Sequence, residues 1–513
     1  MMTIKKETLY DVLYLLILSA TCHFLFSKYG FNPTDEGFVL SATNRVLHGQ
    51  IPHVDFSSVR PLGYAYLHIS ELLISKNYFF LISRFVFWLE QVCIAYLWVR
   101  FVIQLTEKKI SLSEKYFLIF IGFVFNVHYF PASVLHTIDG LLMCLLGLNL
   151  IISTKKWNFL GYFMIGFAAL CKQNFLIVLP VCLVLFNRKD FRKNIIVGIL
   201  PIFIYVVIIS IYGGFNDLII QLSGHNELIK VGILSYIQNP FFYVGILIFF
   251  FINYIFKQEK IIFYFSILIA MILLVTFHFH GRVSFIFFGI LLADLIQSFF
   301  QKKENKILLI LLVLSWSVSI SVGYNTPALC IGNMLVYFTW KILPIDKKII
   351  PIISLLVIIA FIYARLFFIY KDADFTKLKY KLNHIVEGAN GIYTNKNTYQ
   401  VLVELDSIKQ KNPSIIFLPD FTACRILHSH QSPILTEWPN KTEIPNQKIL
   451  EKVTSKLMKD STSIIAISKY ETSLLKDGFI PLESKGMDYP IIKLVKENYY
   501  KFDETTFFEL YRK

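Results

Sequence analysis

Asp35 and Glu36 are adjacent carboxylates that follow Asn32-Pro33-Thr34, a helix-start pattern with Asn as cap and Pro in the first turn. Acids there have an inert reading, since the helix dipole favours negative charge in a first turn. They also have a chemical one: a carboxylate at such a place takes the proton of an attacking hydroxyl as general base. Asp139, after His136-Thr137-Ile138, offers the same choice between a helix start and a second acid on the same surface. Lys172 of Lys172-Gln173-Asn174 interrupts an apolar stretch. A charge at membrane depth is costly, so the residue is either a snorkelling helix end or a point charge for a phosphate. Arg282, heading another apolar run, is either an interfacial anchor or a partner in that role. The loop 213–240, with Gln221, His225, Glu227 and Lys230, is expected to cover the cavity these groups line.

The elements that must position these residues follow from composition. The chain has 513 residues, 55% apolar and 17% charged, with a mean hydropathy of +0.58. A soluble domain is roughly 45–50% apolar and about 25% charged. The expected class is therefore a polytopic α-helical membrane protein. The net charge of +15 does not point to nucleic acid. Lys and Arg sit mostly in short clusters between apolar runs, and residues 371–513 are nearly charge-balanced. The seven cysteines lack metal-ligand spacing, and six lie in or beside apolar runs, as packing residues. The amino-terminal run reads as a first membrane anchor, because it lacks a small-residue cleavage site.

The apolar runs predict thirteen spans, at about 9–27, 78–104, 116–130, 139–154, 157–171, 173–187, 194–212, 241–256, 260–277, 283–300, 307–322, 328–343 and 349–369. The stretch 157–187 also reads as one long helix. Splitting it into a hairpin keeps Lys108/Lys109, Lys155/Lys156, Arg188–Lys193, Lys302/Lys303 and Lys347/Lys348 on one side, which the positive-inside rule requires. The amino terminus is then cytoplasmic and the carboxyl terminus extracytoplasmic. The expected organisation is a transmembrane module over 1–370 and a small extracytoplasmic α/β domain over 371–513. In the latter, strands are predicted at Ser414–Leu418, Ser463–Ser468 and Phe507–Tyr511, and helices at Asn397–Lys409 and Lys448–Lys459.

The outer loop 28–77 is long for a connection, and long loops are usually functional or disordered. Amphipathic helices are predicted from Pro33 to His48, stopped at Gly49, and from Pro61 to Ser75, both suited to a membrane surface.

The run Pro33-Thr34-Asp35-Glu36-Gly37, then Ala42, Arg45, Gly49, Pro52, Asp55-Phe56 and Pro61-Leu62-Gly63-Tyr64 resembles the first outer loop of GT-C glycosyltransferases. These membrane enzymes use polyprenyl-phosphate sugars and include protein O-mannosyltransferases and lipid A aminoarabinose transferases. Phe417-Leu418-Pro419-Asp420 and Phe507-Phe508-Glu509-Leu510-Tyr511 are similar to the outer domain of bacterial members. The resemblance covers most of the chain at superfamily level and specifies no substrate.

It implies an inverting sugar transfer at the outer face of the cytoplasmic membrane, to a lipid, glycan or protein acceptor. Asp35 is then base, with Glu36 and Asp139 beside it in the catalytic set. Lys172, Gln173, Arg282, Arg60, Tyr64 and His225 form the substrate-binding set. A divalent metal ion would be held by Asp35 and Glu36; no nucleotide or redox cofactor is expected. Two rivals remain. A flippase or transporter of lipid-linked sugars usually shows inverted repeats and broken midplane helices, which are not evident here. A polysaccharide polymerase or ligase usually places its catalytic residues in a large late loop, whereas the largest loop between spans here is the first.

Overall fold

The computed structural model describes residues 6–513 apart from 129–130, 154–156, 187–189, 226–227, 257, 277–279, 304, 321–325, 420, 461, 483 and 485–488. A helix underlies each of the thirteen apolar runs. Among the described residues, six helices are long and apolar enough to cross a membrane: Glu7–Phe26, Phe79–Thr106, His136–Ser153, Phe191–Ile211, Gly281–Phe300 and Ile349–Phe367. A seventh results if the pair Ile229–Ile237 and Pro240–Ile255, bent by 53°, is one span. Asn158–Cys171, Gln173–Phe186 and Lys306–Ser319 are shorter apolar helices. The stretch 157–187 is not one helix. It breaks at Lys172, whose backbone is extended (φ −154°, ψ 123°), and re-forms through a 3-10 turn at Gln173–Ile177.

Many of these helices are greasy on the outside. Ile17, Phe24, Phe203, Ile211, Leu247, Tyr254, Leu268 and Ile359 are exposed. Water does not tolerate such a contiguous surface, whereas lipid is as apolar as these side chains. Inside, packing is close enough to need glycine. The Gly332 Cα approaches the Gly122 carbonyl, and a Cβ there would stand 2.0 Å from that oxygen.

The loop 28–77 departs from its expected form. The first helix runs only over Phe38–Leu47, and the second is a 3-10 turn at Gly63–Tyr66 followed by Ile69–Ile74. Asp35 and Glu36 therefore lie in a turn before the helix rather than in its first turn. The reason is local: the Asn32 side chain accepts from Thr34 N–H (3.0 Å) and from the Thr34 hydroxyl (2.7 Å), closing a tight turn in place of a helix cap. The Phe38–Leu47 helix is also not a surface helix. Phe38 through Arg45 are all buried, because the carboxyl-terminal segment covers their outer side.

That segment carries a four-stranded sheet in the order Ile416–Leu418, Ile465–Ser468, Phe508–Arg512, Tyr500–Glu504. The first pair is parallel, with Ile416 opposite Ile465, and the other two are antiparallel. Ile465, Ile467, Val453, Ile492 and Val495 form its buried centre. Helices Lys396–Lys411, Gln447–Thr454 and Pro490–Asn498 flank it. The three expected strands are present; Tyr500–Glu504, an edge strand exposed along its whole length, was not anticipated.

The segment is strapped to the first loop by main-chain and side-chain bonds. Tyr393 N–H donates to Lys28 O (2.8 Å), Ala423 N–H to Pro33 O (3.0 Å) and the Trp438 indole to Thr34 O (3.1 Å). Two buried ion pairs, Arg45–Glu437 and Arg60–Glu443, complete the contact.

Candidate functional site

Three groups of polar residues surround the first loop, and the first two also touch the carboxyl-terminal segment.

The first is the acid turn. Asp35 is 17% exposed and accepts from the Tyr370 hydroxyl (2.8 Å), the Asn32 amide (3.1 Å) and the Lys371 ammonium. Glu36 is buried and held by a two-pronged fork from Arg84, Nε to Oε1 at 2.6 Å and Nη2 to Oε2 at 2.9 Å. Arg84 also donates to the carbonyls of Gly30 (2.7 Å) and Ser27. A cavity of about 40 Å³ lies alongside, bounded by Asn32, Glu36, Arg84, Ser133, Arg365 and Tyr370. The sequence expectation that Asp35 and Glu36 hold a metal ion does not fit this geometry. Both oxygens of Glu36 are taken by a guanidinium, and an ammonium stands against Asp35, where it would repel a dication.

The second group is aromatic and cationic. Tyr64 is fully buried, its ring 6.2 Å from Phe38 and 5.6 Å from His136, while Phe38 packs at 4.3 Å on Trp438. The Arg60 guanidinium lies over Phe38 (5.3 Å) and Trp438 (5.8 Å). Lys172 is 4% exposed and donates to Val318 O at 3.1 Å; among the described residues it has no carboxylate partner. Gln173 donates to Val59 O (3.4 Å) and Asn174 to Ile320 O (2.7 Å). Three buried polar atoms, Tyr64 Oη, His136 Nδ1 and Gln173 Oε1, have no hydrogen-bond partner among the described residues. Buried polar atoms are rarely left so.

The third group was missed from sequence apart from Asp139. His68 Nδ1 lies 2.7 Å from Glu71 Oε1 and Nε2 lies 3.1 Å from Asp139 Oδ1, with all three side chains at most 1% exposed. Glu90 completes it: one ligand atom each from His68, Glu90 and Asp139 falls within 4.8 Å of the others. Burial opposes charge on the His68 imidazole, but Asp139 and Glu71 outweigh it and hold the group well above the usual histidine range. A signal was present: Glu90 is the one acid in the apolar run 78–104, and an intramembrane acid is a functional candidate by default.

Asp35 and Glu36 thus share one turn, and Asp139 belongs to a different cluster. Lys172, Gln173, Arg60 and Tyr64 fall in the aromatic group. Arg282 does not join them: it is exposed on the short helix His280–Val283, and no described bond links its guanidinium to Lys172 or Arg60. His225 ends the 3-10 turn Ser223–His225, and its side chain lies outside the described residues, as does Asp420. No known protein family, curated protein or solved structure matches the chain.

Proposed function

We propose that the chain is an integral membrane glycosyltransferase of thirteen spans. It would move a sugar from a polyprenyl-phosphate donor to an acceptor hydroxyl at the outer face of the cytoplasmic membrane, with its amino terminus inside and its α/β carboxyl-terminal domain outside. The observation that carries the reading is the Asp35 carboxylate: a partly exposed acid in a turn, bonded to Asn32 and Tyr370, which border a small cavity next to Glu36 and Arg84.

In this mechanism the acceptor oxygen attacks the anomeric carbon while its proton passes to Asp35. The bond from that carbon to the phosphate oxygen breaks, and its electron pair leaves with polyprenyl phosphate. A single displacement inverts the anomeric centre. Lys172, a buried side chain that among the described residues bonds only the Val318 carbonyl, suits the developing phosphate charge. Lys371 exchanges Asp35 for the donor phosphate, which frees the carboxylate. Tyr64, Phe38 and Trp438 pack on one another beneath Arg60 and give the site a rigid wall, and the unpaired Tyr64, His136 and Gln173 atoms suit sugar hydroxyls. Arg282 serves the lipid phosphate only at the membrane interface. No step is routed through a metal at Asp35 and Glu36.

The test is release of free polyprenyl phosphate by purified protein from a panel of polyprenyl-phosphate sugars, beside Asp35→Asn. Release by the wild type and its loss in the variant support the reading. Equal release by both removes Asp35 as base. Binding of the lipid and its passage across the bilayer unchanged would replace the reading with a flippase.

A further inference from the structure

We propose that His68, Glu90 and Asp139 bind one divalent first-row transition metal, of the Zn²⁺ or Mn²⁺ class, with Glu71 as the residue that orients His68. The site is separate from the acid turn, and the inference does not depend on the transferase reading.

Four observations carry it. The first is convergence: one imidazole and two carboxylates, from the loop before Ile69–Ile74 and from two different helices, bring ligand atoms within 4.8 Å of one another. The second is spacing. Two ligands bonded to one tetrahedral ion at about 2.0–2.1 Å stand about 3.3 Å apart. His68 Nε2 and Asp139 Oδ1 stand at 3.1 Å, close to that separation. The third is the outer carboxylate. Glu71 accepts the Nδ1 hydrogen at 2.7 Å, which fixes the ring and leaves Nε2 as the ligand nitrogen, the carboxylate–histidine–metal arrangement. Ser70 donates to the other oxygen of Glu71 (2.9 Å) and holds it there.

The fourth is unmet bonding capacity. Asp139 is 0% exposed, and its Oδ2 has no hydrogen-bond partner among the described residues; the same holds for Glu90 Oε2. Three carboxyl groups surround one imidazole, and no lysine or arginine ion pair joins them among the described residues. Buried charge of one sign is compensated by a proton or by a metal. The mixed nitrogen and oxygen donor set suits zinc and manganese better than magnesium, which prefers oxygen and keeps its waters.

The full-length protein, purified in detergent without chelator, is assayed for metal by elemental analysis. It is then stripped and reloaded with Zn²⁺, Mn²⁺ or Mg²⁺ alone while thermal unfolding is followed. The expected result is about one equivalent of metal, a lower Tm on stripping, and recovery with Zn²⁺ or Mn²⁺ at lower concentration than with Mg²⁺. His68→Ala and Glu90→Gln lose the metal. Glu71→Gln keeps the stoichiometry but binds about 10–100-fold more weakly. Asp35→Asn keeps metal and affinity, which separates this site from the acid turn. The proposal is overturned if stripped protein shows no Tm response to any of the three ions, or if monodisperse His68→Ala retains a full equivalent. Should His68→Ala not fold, unchanged affinity in Glu71→Gln overturns it instead.

Discussion

Arg84 grips both carboxylate oxygens of Glu36 across 48 residues of sequence, at 2.6 and 2.9 Å, and with its remaining nitrogen reaches the end of the first span. The fork nails the acid turn to the helix Phe79–Thr106, so that the neighbouring Asp35 projects from a fixed backbone. Removing one member leaves the other charge buried and unpaired. Arg84→Ala or Glu36→Gln is expected to cost about 3–5 kcal/mol, read as a lowered Tm. Asp35→Asn, at a partly exposed site, is expected to leave Tm nearly unchanged while abolishing sugar transfer. A Tm loss in Asp35→Asn as large as in Glu36→Gln would show that Asp35 is part of the frame.

Lys172 tests the phosphate assignment. A charge-assisted hydrogen bond contributes about 1.5–3 kcal/mol, so Lys172→Met should weaken donor binding by roughly 10–100-fold. Donor titration at saturating acceptor measures it. A change confined to acceptor KM would place the lysine elsewhere in the reaction.

Gly37 sets the fit between loop and carboxyl-terminal segment. A Cβ there would stand 2.4 Å from Ala423 N and 2.5 Å from its Cα. Backbone cannot rotate away as a side chain does. Gly37→Ala is expected to cost about 1–3 kcal/mol and to raise the rate of limited proteolysis within 371–513. Unchanged proteolysis would mean that the strap yields elsewhere.

Acid should loosen the same junction through His53. This residue is fully buried; its Nδ1 bonds Gln221 Oε1 at 2.7 Å, and its carbonyl accepts from Gln221 Nε2 (3.0 Å) and Lys452 Nζ (2.6 Å). Burial pushes its pKa from 6.5 to about 4, with the Gln221 bond opposing and Lys452 adding to the fall. Between those values the unfolded chain takes up a proton that the folded chain refuses. Stability is therefore full above pH 6.5, falls as pH drops toward 4, and levels off below, a loss on the order of 3 kcal/mol. Thermal unfolding against pH should show this slope in the wild type and a flatter one in His53→Gln.

The helices were legible because long apolar runs are written in composition: a helix underlies each of them. The strands Ile416–Leu418 and Ile465–Ser468 were legible for a similar reason, as short β-branched runs between polar stretches. Local pattern failed where the partner is distant. Nothing near Arg45 or Arg60 announces Glu437 or Glu443, so a buried helix read as an amphipathic surface one. The turn at Asn32 was misread because an Asn before Pro-Thr serves a helix cap and a tight turn equally well. Asp139 was found but its companions were not, since His68, Glu71 and Glu90 are neighbours only after folding.

The pairing of Arg45 with Glu437 and of Arg60 with Glu443 also sets an order of assembly. Residues near the start of the chain wait for partners nearly four hundred positions later. While the chain is being made, the first loop holds two arginines destined for dry sites and nothing to neutralise them. It stays open until the last segment arrives and closes over it. A chain that stopped short of Glu437 would keep its helices and never finish its first loop.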